Sequence, residues 1–260
     1  MAYILEAKGI CKYFGGLKAV EKVDMRIEEG HIFGIIGPNG AGKTTFFNIC
    51  AGVYRPTAGR ILFQEKDITG LPPEAIARLG IARTFQNIQL FRYMTVLENI
   101  KIGFHIRTRS GFISAIFHDR RYRDEEAFID AEAARVLEKV GLAAYRDTLA
   151  SNLPYGLQRK VEIARALALK PKLLLLDEPV AGMNPLETRE LSDFILRLNH
   201  EGYTIVVIEH DMKFVMSTCD HILVLNFGQK ICEGDPATVR RDHAVNEAYF
   251  GKGLVMGGLS

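Results

Sequence analysis

Within residues 23–27 apolar side chains alternate with polar ones, Val23, Met25 and Ile27 against Asp24 and Arg26, the period of two expected of a strand with one buried face. Glu29 and Gly30 end that pattern, and a continuous apolar run covers residues 32–36. Then the period changes. Beyond the glycine-rich residues 37–42, Phe46, Phe47 and Cys50 recur at helical spacing within residues 43–51, and Gly52 stands where a helix C-cap would. Strand, glycine loop and helix are therefore predicted in immediate succession. A further strand is predicted over 61–63 after the turn signals Pro56 and Gly59, and residues 67–73 read as a polar connection.

The middle of the chain has a different texture. Over 124–140, Phe128, Ile129, Ala133, Val136, Leu137 and Val140 fall on one helical face and Gly141 supplies a stop. A second helix is predicted over about 157–169, before Pro171, and no clear strand pattern is legible in 91–169. This segment reads as a helical insertion into a mixed sheet domain. Residues 172–176 form a short apolar run suited to a strand covered on both faces. A helix over 187–200 follows, with Leu191, Phe194, Ile195 and Leu198 on one side, then strands over 204–208, 222–227 and 230–232. Such alternation predicts an α/β fold with a mostly parallel sheet. Residues 251–260, with four glycines and few anchors, are expected to fray.

Composition narrows the class. A chain of 260 residues, 48% hydrophobic and 25% charged, is globular and long enough for one large domain with a smaller lobe. A net charge of +2 argues against a nucleic-acid partner. The cysteines at 11, 50, 219 and 232 form no CxxC pair, which predicts a reduced, intracellular chain without structural zinc. With no 18-residue apolar run and no cleavage pattern near the start, the chain is expected neither to span a membrane nor to enter a secretory route by itself.

The chemistry concentrates at two places. Gly37, Pro38, Asn39, Gly40, Ala41, Gly42, Lys43 and Thr44 fit G-x-x-x-x-G-K-[ST], with Thr45 next, between a buried strand and a helix start. Glycines there let backbone N–H groups converge on phosphate oxygens, Lys43 neutralises the β- and γ-phosphates, and the Thr44 hydroxyl can ligate Mg²⁺. The run Leu173, Leu174, Leu175, Leu176 then delivers Asp177 and Glu178 at a strand's C-terminal end, where open α/β sheets bind ligands. Asp177 can hold Mg²⁺ through water, and Glu178 is placed to polarise an attacking water as general base.

With these motifs the chain resembles the ATP-binding subunits of ABC transporters over essentially residues 3–250. The resemblance implies a P-loop NTPase of ABC type: a RecA-like mixed β-sheet core and an antiparallel β subdomain over 1–86 and 170–250, and a helical subdomain over about 87–169. It implies ATP and Mg²⁺ as cofactors. Gln86 is similar to the family's Mg²⁺-ligating loop glutamine that links to the membrane subunit. Leu153, Pro154, Tyr155, Gly156, Leu157 and Gln158 match the signature segment facing ATP on the opposite subunit, and Ala181, Gly182, Met183 and Asn184 occupy the D-loop. His210, after the predicted strand 204–208, matches the switch histidine, and Phe14, or failing that Tyr13, sits where an aromatic stacks on adenine.

The signature departs from the usual Leu-Ser-Gly-Gly-Gln: Pro154 replaces the serine, Tyr155 the first glycine and Leu157 the glutamine. Losing the serine hydroxyl removes one charge-assisted hydrogen bond to the opposite nucleotide, while Gly156 and the following helix remain. Asn184 stands where an aspartate is commoner. The run from Phe85 to Asn99, the long insertion before the signature, the Tyr-Gly signature form, the run from Glu178 to Pro185 and the terminal Glu247-Ala-Tyr-Phe-Gly251 resemble branched-chain (hydrophobic) amino-acid importer ATPases. That resemblance implies a head-to-tail pair with a similar but different ATPase chain. It also implies membrane permease subunits, indirectly a periplasmic or extracellular binding protein, and peripheral attachment on the cytoplasmic face of the membrane. Two other readings fit the same residues: an ATPase of a lipopolysaccharide-type exporter, and a regulatory module that holds nucleotide with little turnover. The cation-rich stretch Lys101, Arg107, Arg109, Arg120, Arg121 and Arg123, interleaved with Phe112, Ile113, Ile116 and Phe117, reads as a solvated connector or as a contact to membrane subunits or lipid headgroups.

Overall fold

A computed structural model describes residues 3–105 and 120–250. Arg107, Arg109, the aromatic and aliphatic residues at 112–117, the side chains of Arg120 and Arg121, and the tail 251–260 lie outside the described residues. The chain forms two compact units, Met1–Arg83 with Lys172–Ser260, and Thr84–Pro171.

The first unit contains two sheets. Strands β1 (Tyr3–Phe14), β2 (Leu17–Glu28), β4 (Ala58–Phe63) and β5 (Lys66–Asp67) pair antiparallel in the order β2-β1-β4-β5. The other sheet runs β10-β9-β3-β8-β7-β6, from β3 (Ile32–Ile36), β6 (Ile81–Arg83), β7 (Leu173–Asp177), β8 (Thr204–Ile208), β9 (His221–Asn226) and β10 (Gln229–Gly234). All its neighbours are parallel except β9 and β10. Every residue of β3, β7 and β8 is buried, because strands covered on both faces leave no side for polar alternation, and one face here packs against the helix that follows β3 and the antiparallel sheet. Helix α1 (Lys43–Cys50) inserts Phe46, Phe47 and Ile49 into an apolar cluster with Val20, Val23 and Ile27 of β2 and Ile35, Leu175 and Val206 of the core strands. Short α2 (Pro73–Leu79) precedes β6.

In the second unit, α3 (Val96–His105), α4 (Arg120–Lys139) and α5 (Tyr155–Leu167) pack together, with 3-10 turns at Ala143–Tyr145 and Ala150–Asn152. No strand is present there among the described residues, although Thr95 and Leu149 form an isolated bridge. The buried stripe of α4 is narrower than the sequence pattern implied. Ile129, Ala133, Leu137 and Val140 are buried, at spacings of four, four and three, whereas Phe128, one residue or about 100° off that line, is exposed and Val136 is half-buried. The first unit closes with α6 (Pro185–His200), α7 (Met212–Thr218), α8 (Pro236–Arg241) and α9 (His243–Phe250).

Helices α3 and α5 approach closely at Gly103, where a Cβ would lie 2.3 Å from the Arg165 carbonyl oxygen and 2.7 Å from the Ala168 Cβ. Gly103→Ala gains helix propensity of about 1 kcal/mol but must push a backbone oxygen aside, and overpacking of this kind costs about 1–3 kcal/mol. The expected result is a lower denaturant midpoint at unchanged slope; a midpoint at or above wild type would show that the helices are not held at this distance.

Candidate functional site

Strand register brings the sequence-predicted residues of the first unit to one edge. Ile35 of β3 and Asp177 of β7 both pair with Ile208 of β8, so the C-terminal ends of the three strands are level, with β8 in the middle. Adjacent strands lie about 4.8 Å apart, which puts the ends of β3 and β7 about 10 Å apart. The ladder extends one step further: Glu209 N–H donates to Ile35 O (3.4 Å) and Glu178 N–H to Ile208 O (3.0 Å). The glycine loop, Glu178, Glu209 and His210 thus all leave the sheet at the edge where parallel sheets receive ligands.

Two glycines of the loop have steric reasons to be glycine. At Gly37 (φ 152°) a Cβ would meet the Leu225 carbonyl oxygen at 2.1 Å, and at Gly42 (φ 95°) the Ala19 carbonyl oxygen at 2.4 Å. The loop is braced from behind, since Ala41 N–H donates to Pro38 O and Gly228 N–H donates to Ala41 O. Its front is different. The amides of Gly40, Gly42, Lys43 and Thr44 make no hydrogen bond among the described residues, and the space around the Gly40 Cα is open. Lys43 and Thr44 begin α1, whose first amides have no partner carbonyl within the helix. Buried Lys43 donates from Nζ to the carbonyls of Gly37 (2.7 Å) and Pro38 (3.0 Å). Burial draws its pKa below the ordinary lysine value, against the opposing pull of Glu178 and Glu209. A ring of unused donors around a desolvated ammonium is a receptor for a polyanion such as a triphosphate.

The acids sit opposite this loop in contrasting surroundings. Buried Asp177 accepts from Arg83 Nη2 at 3.2 Å, and Arg83 Nη1 donates to Asn48 Oδ1 at 2.8 Å, with the guanidinium 5.3 Å from the Phe47 ring centre. Glu178, half-buried, has φ 45°, a left-handed conformation that costs a non-glycine residue roughly 1 kcal/mol or more and is found where a turn must aim a functional side chain. Thr44 is exposed at the start of α1. Among the described residues no cluster of three or more His, Cys, Asp or Glu could hold a metal unaided. A Mg²⁺ at Thr44 and Asp177 would therefore depend on phosphate oxygens and water for most of its shell, which is how Mg²⁺ is ordinarily bound with nucleotides.

Glu209 is the residue that sequence reading left without a role. It is fully buried, accepting from Val180 N–H at Oε1 (2.9 Å) and from His210 N–H at Oε2 (3.1 Å), and so joins the turn after β7 to the turn after β8. Burial pushes its carboxyl above the ordinary value while the amides of Val180, His210 and Asp211 pull it back. An acid directly after an all-apolar strand was the available signal. His210 itself is exposed, with Nδ1 3.8 Å from Glu209 Oε2, and Asp211 caps α7 by accepting from Lys213 and Phe214. In the turn after β7, Ala181 N–H donates to Glu178 O, Gly182 has φ 77°, and Met183 N–H donates to Val180 O. Asn184 caps α6 in a capping box with Glu187. Asparagine caps as well as aspartate, so the local job of this position is filled.

Phe14 ends β1 at the hairpin to β2, exposed on one side and edge-on to Tyr54 (5.5 Å), with Lys12 Nζ 5.0 Å from its ring centre. Two residues past Leu17, the Ala19 carbonyl abuts Gly42 and Gly228, so this hairpin adjoins the back of the phosphate loop. Tyr13 is half-buried, its amide bonded to Thr57 Oγ1. Gln86 and residues 153–158 belong to the second unit. There Leu153 is buried, Pro154 starts α5 without a side-chain cap, Tyr155 is exposed, Gly156 and Leu157 lie in the first turn, and Gln158 Nε2 donates to Leu153 O (2.8 Å).

Residues 20–181 match the ABC transporter family. The high-affinity branched-chain amino acid transport ATP-binding protein LivG of Escherichia coli K12 is 44% identical over 250 residues, 96% of this chain and 98% of LivG. BraF of Pseudomonas aeruginosa, described in the same words, is similar to the same extent, and a probable LivG of Archaeoglobus fulgidus is 40% identical over 95% of both chains. Among solved structures, an ATP-binding cassette of an ABC transporter in its ADP conformation superposes with a TM-score of 0.85 at 36% identity, covering 97% of this chain and all of that one. A nucleotide-free cassette gives 0.84.

The buried carboxyl yields a pH prediction. Because folding raises the Glu209 pKa above 4.5, the unfolded chain releases the proton first, and stability falls as pH climbs from about 4.5 through the raised folded value. Glu209→Gln should flatten unfolding free energy across that window in denaturant titrations at stepped pH. A variant with the wild-type pH slope would clear Glu209 of responsibility.

Proposed function

The chain belongs to the ABC transporter family and is an ABC-type ATPase subunit, and on that premise we propose that it powers an importer of branched-chain amino acids. The full-length likeness to LivG and BraF supports the cargo. The level row Ile35, Ile208 and Asp177 carries the chemistry, because it sets an anion-binding loop facing two carboxylates across a single strand.

On this reading the amides of Gly40, Gly42, Lys43 and Thr44 cradle the phosphates, and the Lys43 ammonium leaves the Gly37 and Pro38 carbonyls for phosphate oxygens. Asn39, Ala41 and Thr45 complete the loop, and Phe14 offers its exposed ring to adenine. Thr44 and, through water, Asp177 would hold Mg²⁺, which would neutralise charge on the phosphates. Glu178 takes a proton from the attacking water as its oxygen bonds to the γ-phosphorus, and ADP leaves. His210, kept in place by the Glu209 brace on its amide, meets the γ-phosphate side. A second, similar cassette closes head to tail over the nucleotide, its D-loop and signature completing the site; hydrolysis removes that bridge. Gln86 and its loop pass the change to membrane permease subunits, with the chain peripheral on the cytoplasmic face. No helix among the described residues is long and apolar enough to cross a membrane. Pro154, with neither hydroxyl nor amide proton to offer, favours a weakened signature and hence an asymmetric pair, in which the other chain supplies the stronger one.

Lys43→Met should weaken binding of a fluorescent ATP analogue about 100-fold, the equivalent of about 3 kcal/mol for two charge-assisted hydrogen bonds, and leave the melting temperature of the nucleotide-free chain unchanged or raised. Equal affinity would remove Lys43 from the phosphate site. Glu178→Gln should lower kcat by about 10²–10⁴ and accumulate an ATP-bound dimer in size-exclusion chromatography; hydrolysis at the wild-type rate would refute the base assignment. In vesicles carrying the assembled complex and its external binding protein, leucine, isoleucine or valine should stimulate hydrolysis. Stimulation by lipopolysaccharide instead would favour the exporter reading, and turnover indifferent to every solute would favour the regulatory one.

A further inference from the structure

The chain passes from the first unit to the second between Arg83 and Thr84, and an ion pair grips it on each side of that passage, partly buried before it and fully buried after it. In the first unit the grip is Arg83 on Asp177, the acid at the end of β7. In the second it is Arg159 with Glu162 of α5, Nη1 to Oε2 at 2.8 Å, with side chains 0% and 1% exposed. Charges so deeply buried are costly unless their remaining donors and acceptors are used, and here the backbone of residues 85–89 uses them. Arg159 donates from Nη1 to Phe85 O (2.7 Å) and from Nη2 to Gln86 O (2.8 Å). Glu162 Oε1 accepts from Phe85 N–H (3.5 Å) and Gln89 N–H (3.2 Å).

A third contact gives this clamp a direction. Arg159 Nη2 also donates to the Tyr155 hydroxyl (3.3 Å), and the guanidinium lies 6.0 Å from that ring's centre. Tyr155 is the exposed signature residue that stands in place of a glycine. Arg159 Nε is buried with no partner, so the guanidinium is oriented by the loop and the tyrosine at the expense of one of its own donors.

We infer that Arg159 and Glu162 are positioning residues that lock the backbone of Phe85, Gln86 and Gln89 to the first turns of the signature helix, and that Tyr155 is the handle through which an opposite subunit moves that backbone. The inference rests on the proposed function insofar as the signature meets a second cassette; the clamp itself does not. It explains why a tyrosine is useful where the family commonly has glycine: its hydroxyl connects a surface that a partner touches to the loop that carries Gln86.

Replacing a buried ion pair by apolar residues of similar volume is commonly tolerated, so Arg159→Met combined with Glu162→Leu tests the clamp in the full chain. Hydrogen exchange should speed about tenfold at the Phe85 and Gln89 amides, beyond any change elsewhere, while unfolding stays cooperative. If that variant does not fold, Glu162→Gln decides by the same amides, and unchanged exchange there in a folded variant overturns the clamp. In the assembled complex, Tyr155→Phe should lower kcat several-fold with KM for ATP within about twofold. An unchanged kcat overturns the role of Tyr155 as handle. A wild-type complex that does not hydrolyse ATP would refute the functional reading and with it the handle, while the exchange result would still judge the clamp.

Discussion

Everything chemical in this chain depends on the register of three parallel strands. Because Ile208 pairs with Ile35 on one side and Asp177 on the other, three loops of unrelated sequence start from one line. A slip of one residue in either pairing would carry every side chain of the strand to the opposite face. That cannot happen cheaply, since all five positions of each strand are buried and each side chain has a packed place. The phosphate loop is then pressed from behind by carbonyls of Leu225 and Ala19, which leave no room for side chains at Gly37 and Gly42.

A second theme is the placing of buried charge. Lys43, Asp177, Glu209, Arg159 and Glu162 are all buried, a heavy load of desolvated charge for one cassette. Each has its electrostatic cost met differently: Lys43 by carbonyls of the loop it serves, Asp177 by Arg83, Glu209 by amides of two turns, and Arg159 with Glu162 by each other and by the backbone of the Gln86 loop. Lys43 differs in kind, because neutral carbonyls compensate a cation poorly and its pKa is drawn down. An anion held in the loop would relieve it.

How much of this was legible in the amino-acid sequence follows from the range of the interactions. The phosphate loop and the acidic strand end are local patterns, readable because glycine, lysine and an apolar run signal within about a turn of one another. The core strands were legible for the same reason. The role of Glu209 was not, although an acid directly after an apolar strand marked its position, since its partner amide at Val180 lies 29 residues away and meets it only through pairing of β7 with β8. Nothing local marks Arg159 either, because its partners at Phe85 and Gln86 lie more than seventy residues earlier. Strand β6, three residues long, is too short to show a period, and α3 carries Asn99 and Gly103, which weaken a helical pattern. Asn199 illustrates the same limit: its amide bonds Gly30 O across 169 residues and nothing nearby announces it.

The most direct test is a crystal structure of the chain with Mg²⁺ and a non-hydrolysable ATP analogue. The account predicts the β-phosphate among the amides of residues 40–44, Lys43 Nζ withdrawn from the Gly37 and Pro38 carbonyls onto phosphate oxygens, and Glu178 facing the γ-phosphate. A triphosphate bound elsewhere, or Lys43 still on those two carbonyls beside a bound nucleotide, would contradict it.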